Sequence, residues 1–353
     1  MTIDLAALQK NLQRVRELAP GRSVIAMVKA NAYGHGIVRV ASALKQADAF
    51  GVASLEEGIM LRDAGITQPI ALMEGLFYPD EVALAAEHQF TLVVHHQPCL
   101  EMLEQAGDVK PFPVWMKINT GMNRLGFDPV EANDVYQRLK RLNVTQKPIG
   151  LMTHFAEADS TDVEATTRQI AIFRKAIQKI EGPVSLANSA GILGWPEAHG
   201  DWVRPGLILY GASPYAEKVG IDHGLTPVMT LWSRIITIKQ IKKGEKIGYG
   251  GTWSAPDDMR IGVVGVGYGD GYPQYAKSST PVLVNGKECA LVGRVSMDML
   301  MVDLRNCQDA AIGDPVILWG AGLPVERVAR MSNTSAYEIL TRMTPRPKIE
   351  IKN

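Results

Sequence analysis

The sequence predicts an α/β protein in two parts: an N-terminal (β/α)8 TIM-type barrel over residues 1–225 and a C-terminal, mostly β domain over residues 226–353. Three observations predict it. Eight short apolar runs alternate with longer amphipathic segments as far as about residue 206. The texture then changes to β-rich runs divided by Gly, Pro and Asn. A length of 353 residues also exceeds what one core usually holds.

The first helix starts after Asp4, a good capping side chain, and places Leu5, Leu8, Leu12 and Val15 on one face. After the Pro20-Gly21 break come the apolar runs 23–28, 50–54, 69–75, 91–95, 113–118, 148–154, 184–188 and 201–206. Helix signals lie between them. Ser54-Leu55-Glu56-Glu57 reads as a capping box. Asp128-Pro129 reads as a cap followed by a first-turn proline. Ile170, Phe173, Ile177 and Ile180 repeat at helical spacing. Strands alternating with helices imply a parallel sheet, and eight strands is the number that closes a barrel. An open doubly wound sheet has the same rhythm and stands as the alternative. Beyond residue 225 the runs 229–241, 260–269, 280–293, 296–304 and 314–320 read as strands, with Asn285-Gly286 as a hairpin turn. Helical patterns return only at 326–331 and 335–343.

Composition narrows the function classes. Hydrophobic residues make up 46% and charged residues 21%, as in ordinary soluble globular chains. Lys+Arg and Asp+Glu stand at 37 each, so no net field favours nucleic acid or an anionic membrane as main partner. Cys99, Cys289 and Cys307 are far apart and odd in number. They predict reduced thiols in a cytoplasmic setting, not a disulfide framework or a zinc site. The N-terminal segment has no signal-peptide pattern, and no apolar run approaches the roughly 18 residues of a membrane span.

Catalytic groups of such barrels come from the C-terminal ends of the strands. The first run delivers Lys29 at its end, with Tyr33 and His35 in the loop after it. The fifth carries Lys117 and leads to Arg124, and the sixth ends on His154. The seventh runs into Asn188-Ser189-Ala190-Gly191, and the eighth holds Arg204 before Pro205-Gly206-Leu207. The loops after strands seven and eight are the usual phosphate site, and here they combine small residues, backbone N–H groups and the Ser189 hydroxyl. A phosphate cradle facing a strand-end lysine suggests pyridoxal 5'-phosphate, which needs a lysine amine and a partner for its pyridine nitrogen. Arg204 is the candidate partner.

The ordered set VKANAYGHG (28–36), KINTGMNRLGF (117–127), THFAEAD (153–159), LANSA (186–190), DWVRPGLILYG (201–211), GYGGTW (248–253), GYGDGYP (267–273) and GRVSMDM (293–299) resembles the alanine racemase family, a barrel-type family that uses pyridoxal phosphate. The resemblance runs essentially end to end. It implies an isomerase that interconverts L- and D-alanine and serves D-alanine biosynthesis, working as a cytoplasmic homodimer with shared active sites. Lys29 would hold the cofactor covalently and act as one base. Tyr249, supplied by the second subunit, would be the other, and Met297 from that subunit would meet the substrate carboxylate region through its backbone. Arg204 would face the pyridine nitrogen, and His154 would link Arg204 to Tyr249. Tyr33, Ser189 and the amides of Gly206 and Leu207, with Asn188 beside them, would hold the phosphate. Arg124 would contact the substrate carboxylate, Tyr268 would line the entrance, and Lys117 stands where many relatives carry an N-carboxylysine.

The chemistry agrees. Racemisation removes a proton from one face and returns one to the other, which two bases on opposite sides achieve without moving the substrate. Lysine and tyrosine have reference values of about 10.4 and about 10, so nearby positive charge is needed to favour their basic forms. Guanidinium releases its proton with difficulty, so Arg204 would leave the ring nitrogen unprotonated and limit side reactions. A carbamate on Lys117 could fix Arg124 by paired hydrogen bonds. Other residues read more plainly. His35 is expected to brace the Lys29 loop, Asp298 to hold its own loop, and Cys289 to fill a strand. The glycines of 265–271 do not fit a dinucleotide fingerprint, and His95-His96 lack a third ligand at metal spacing. Two features depart from the family pattern: Asn119 stands where many relatives have aspartate, and Pro345 where some have a phosphate-binding tyrosine. A broad-specificity or serine racemase is the alternative within the class. A non-catalytic cofactor carrier would lack the Tyr249-bearing domain, and a related decarboxylase would place an acid where Arg204 stands.

Overall fold

Every one of the eight apolar runs becomes a strand in the structure, a computed structural model describing residues 1–353. The strands are Ser23–Met27, Ala49–Val52, Ile70–Leu72, Thr91–Val94, Phe112–Lys117, Thr145–Met152, Val184–Ser185 and Trp202–Val203. They form one parallel sheet in which the strands from Ser23–Met27 to Val184–Ser185 follow sequence order. The last strand pairs with the first, Ser23 opposite Trp202 and Val24 opposite Val203. It also reaches the seventh, since the N–H groups of Asp201 and Arg204 donate to the carbonyls of Val184 and Ala187, both at 2.9 Å. The ring therefore closes, and the barrel prevails over the open sheet. Three central strands are buried along their whole length, as expected of strands covered on both faces.

Helix boundaries follow the caps with two differences. The Asp4 carboxylate accepts the Ala7 N–H at 2.8 Å and starts the helix Leu5–Leu18. Ser54 accepts the Glu57 N–H at 3.4 Å, but Glu57 does not return the bond. Its carboxylate accepts from Ala53 at 2.9 Å and from Ala30 at 2.7 Å instead, so only half of the expected capping box forms. Asp128 accepts the Val130 N–H at 3.0 Å in a local turn, and the helix begins only at Ala132. The side chain serves its own turn rather than the helix end.

The chain divides into two compact units, one of Leu12–Ala32 and Gly36–Leu209, the other of Met1–Asn11, Tyr33–His35 and Tyr210–Asn353. In the second, the long strand Met229–Ile241 pairs through its first half with Pro315–Trp319 and through its second half with Met259–Val264. With Pro281–Val284, Lys287–Val292 and Leu300–Asp303 these strands make a closed antiparallel ring. Asn285 and Gly286 both take positive φ, 49° and 77°, the signature of the two-residue turn the sequence predicts. The strand Thr2–Asp4 joins this unit by pairing with Met229–Thr230 and with Glu350–Lys352. Buried Asn11 adds a two-way bond to the backbone of Thr226, both contacts at 2.8 Å. No helix is long and apolar enough to cross a membrane.

Candidate active site

Lys29 leaves the end of a strand whose last four residues are buried, and the chain then turns in an unusual way. Ala30, Asn31, Ala32 and Tyr33 all take left-handed φ, from 54° to 51°. For L-residues this costs roughly 1–2 kcal/mol each, so specific bonds must hold it. The Val28 carbonyl accepts from Ala32 at 2.8 Å and the Asn31 carbonyl from Gly36 at 2.9 Å. The Asn31 side chain accepts from Ile37 at 2.9 Å, and Glu57 takes the Ala30 N–H.

The continuation of this loop, Tyr33–His35, packs in the second unit. The Tyr33 ring stacks on Tyr210 at 4.7 Å. Burial, with Tyr337 adding, pushes its phenol above the ordinary range. The His35 Nδ1–H donates to the Tyr33 carbonyl at 2.8 Å, the bracing role expected of it. Gly34, at φ 79°, lies so close to Leu340 that a Cβ would stand 2.1 Å from its carbonyl oxygen; no other residue fits.

Around Lys29 the barrel rim collects positive charge. Lys117 is 6% exposed. Burial, reinforced by Arg204, Arg124 and Lys29 and opposed by Glu74, lowers its amine to about 7. Burial and the same cations hold His154 well below its ordinary value, so the ring is neutral. It accepts from the Arg204 Nη2 through Nδ1 at 3.3 Å. Arg204 is buried and also donates to Ser185 Oγ at 2.5 Å, to the Thr153 carbonyl at 2.6 Å and to the Leu186 carbonyl at 3.1 Å. All of these acceptors are neutral. Burial lowers Arg204 to about 10, which leaves it charged at neutral pH. The carboxylate of the cluster is Glu74, whose Oε1 lies 3.3 Å from Lys29 Nζ. The His95 Nε2–H fixes its backbone by donating to the Glu74 carbonyl at 2.9 Å.

The Lys117 shift has a measurable consequence. Between about pH 7 and the ordinary 10.5 the unfolded chain binds a proton that the folded chain does not. Stability should therefore rise with pH through that window, and the penalty is complete below about 7. Lys117→Met is expected to stabilise the fold on the order of 2–4 kcal/mol at pH 6.5 and by much less at pH 9.5. Urea unfolding in buffer free of carbon dioxide measures this, and an equal gain at both pH values would refute the burial account.

Further along the rim, Arg124 is exposed in a loop organised by Asn119. The Asn119 Oδ1 accepts from Gly121 and Asn123 at 3.1 and 3.0 Å, and its amide donates to the Asn123 side chain at 3.0 Å. An aspartate could not make that last bond. After the seventh strand, Asn188 caps the short helix Ser189–Gly194 by accepting from Gly191 at 3.0 Å. Ser189 Oγ accepts the Gly206 N–H at 2.9 Å, which joins the two loops expected to form the phosphate cradle, with Leu207 buried next in line.

The remaining predicted residues lie in the second unit. Tyr249 follows the short strand Lys246–Ile247 and is 71% exposed. Met297 is 51% exposed. Tyr268 stands on a turn whose backbone is tied to the Met297 loop: the Tyr268 N–H donates to the Ser296 carbonyl at 3.1 Å and the Gly269 N–H to the Met297 carbonyl at 2.9 Å. Asp298 pairs with Arg346 at 2.8 Å, consistent with a loop-holding role, and Cys289 is buried in its strand. The structure thus brings Lys29, Lys117, Arg124, His154 and Arg204 into one electrostatic cluster, and Tyr268 and Met297 into one pair of loops. Sequence reasoning missed Glu74 and Glu57. Glu74 had a signal, since it sits at the end of the third apolar run, on the rim already singled out.

Comparison with known proteins gives one consistent result. Residues 3–214 match the family model of the alanine racemase N-terminal domain, and residues 228–351 that of the C-terminal domain. The chain is 51% identical over 348 residues to "Alanine racemase, biosynthetic" of Shigella sonnei, covering 98% of this chain and 97% of that protein. It is equally similar to the Escherichia coli (strain K12) protein of the same description. Among solved structures it resembles the biosynthetic alanine racemase of Pseudomonas aeruginosa, with TM-score 0.97, 43% identity, and 100% and 98% of the two chains covered. The alanine racemase of Acinetobacter baumannii follows at 0.93 and 44%, with 99% and 98% covered.

Proposed function

The chain belongs to the alanine racemase family, and on that premise we propose that it interconverts L- and D-alanine with pyridoxal 5'-phosphate. Lys29 serves one face of the substrate and Tyr249 of the partner subunit the other. The protein is an isomerase of the amino-acid racemase class. One observation carries the reading of the site: Lys29 stands among Lys117, Arg124 and Arg204 with Glu74 as the nearby carboxylate. Such a cluster suits a group that brings a phosphate and receives an amino-acid carboxylate, so the residues present fit the cofactor.

Lys29 would hold the cofactor through its amine. Arg204, charged at neutral pH, would face the ring nitrogen. Tyr33, Ser189 and the Gly206 and Leu207 amides would hold the phosphate, beside Asn188. When bound, pyridoxal phosphate supplies an electron-accepting ring that acidifies the substrate α-proton. The chain's own groups do the rest. Lys29 Nζ takes or returns that proton on one face, and the phenol oxygen of the partner subunit's Tyr249 does so on the other. Neutral His154 receives a hydrogen bond from Arg204 at Nδ1, which leaves Nε2 for the phenol. Arg124 and the backbone of the partner subunit's Met297 orient the substrate carboxylate, and Tyr268 lines the entrance. A Lys117 amine lowered to about 7, and so about half neutral near that pH, can add carbon dioxide with loss of a proton, and the resulting anion would brace Arg124. The homodimer follows from the same logic: the β domain, residues 226–353, presents the exposed Tyr249 and Met297 to a second copy.

The test combines activity with chemistry at one residue. Purified protein given pyridoxal phosphate should convert either antipode of alanine to the racemate. After borohydride reduction and digestion, the cofactor mass should appear on the peptide containing Lys29. A cofactor mass on any other lysine would end the assignment.

A further inference from the structure

We infer that the C-terminal segment Thr344–Arg346 is a positioning element for the substrate-side loops, and that Arg346 sets where Tyr268 and Met297 stand. The inference rests on the reading above, in which those two residues face the substrate. Arg346 reaches both loops at once. Its Nη2 lies 2.8 Å from Asp298 Oδ1, next to Met297, and its Nε lies 3.4 Å from Asp270 Oδ1, two residues after Tyr268. Thr344 adds backbone ties, as its Oγ1 donates to the Gly269 carbonyl at 2.9 Å and its N–H to the Asp270 carbonyl at 3.3 Å. The other oxygen of Asp270 accepts the Gly267 N–H at 2.9 Å. Each carboxylate and hydroxyl here therefore spans two segments.

The three segments pack closely. A Cβ on Gly269 would stand 2.2 Å from Arg346 Nη1, and one on Gly267 would stand 2.2 Å from the Ser296 carbonyl oxygen. Arg346 is 48% exposed and Asp298 is 55% exposed, so the ion pairs contribute little to global stability. Their effect is geometric. A planar guanidinium with two donor edges fixes the spacing of two carboxylates, which the single ammonium of a lysine does not. A displacement of about 1 Å at substrate-contacting groups is enough to change kinetics by one to two orders of magnitude. Tyr268 and Met297 contact the substrate and not the reacting proton, so the change falls on KM.

Arg346→Ala in the full-length holoenzyme is expected to raise KM for alanine about tenfold with kcat within about twofold, and to narrow the preference for alanine over serine. Hydrogen exchange followed by mass spectrometry should quicken in peptides covering 267–271 and 296–299, with the barrel strands unchanged. Arg346→Lys should recover part of both effects. Unchanged loop exchange, or local exchange with unchanged KM, overturns the inference, as does exchange raised throughout the chain with kcat reduced. Failure of the parent reading is seen separately, as a cofactor mass absent from Lys29 in the wild-type protein.

Discussion

Lys29→Ala is expected to reduce racemisation of both antipodes by about 10^4-fold or more and to abolish the borohydride-trapped cofactor adduct. The size of the effect follows from the double duty of one amine, which holds the cofactor and carries a proton on one face. No neighbour can replace it. Lys117, the other amine of the cluster, is 6% exposed and lies on a different strand. The fold should survive, because the left-handed loop after Lys29 is held by backbone groups, Asn31 and Glu57 and not by the lysine side chain. Chiral chromatography of alanine incubated with the variant measures the loss, and residual turnover above one part in a hundred would contradict the assignment. Circular dichroism checks that the loss is chemical.

Tyr249→Phe should be nearly as damaging to inversion, by about 10^2–10^4-fold, while leaving a distinctive remnant. With a single base, a proton can leave and return on one face only. In deuterated solvent one antipode should therefore exchange its α-proton without inverting, and the other should do neither. The phenol is 71% exposed in the isolated chain, so its removal should leave the fold unaffected, and the expected loss concerns chemistry at the partner's site. Proton nuclear magnetic resonance of both antipodes reads the exchange directly. Equal residual inversion in both directions, with no exchange difference, would mean that the second base is another residue.

The barrel was legible because its physics is local. Strands buried on both faces leave short apolar runs, here of five to seven residues, and all eight become strands. The hairpin at Asn285-Gly286 was legible for a similar reason, since few residue pairs accept positive φ twice. The short strand Thr2–Asp4 was not. Three residues carry no period, and their partners stand more than 200 positions away. The helix after Asp128 started late because an aspartate can satisfy its own turn as easily as a helix end. At the site, Lys29, Lys117, His154 and Arg204 were visible as polar residues at strand ends. Glu57 and Arg346 were not, because what they do depends on segments brought near only by the fold: Glu57 bonds the loop after a different strand, and Arg346 bridges loops about 50 and 75 residues upstream. Sequence order identifies who stands on the rim, and the fold alone shows who holds them there.

The loop after Lys29 coils with the screw sense opposite to the one L-amino acids favour. Four consecutive residues at roughly 1–2 kcal/mol each carry an unfavourable energy comparable with the lower end of a domain's net stability. Branching at Cβ would add to it. Natural drift and laboratory libraries at positions 30–32 are therefore filtered by backbone handedness before any chemistry is sampled. Valine, isoleucine and threonine are shut out, and small or amide-bearing residues are let through. Ala30, Asn31 and Ala32 record that filter more than they record any ligand.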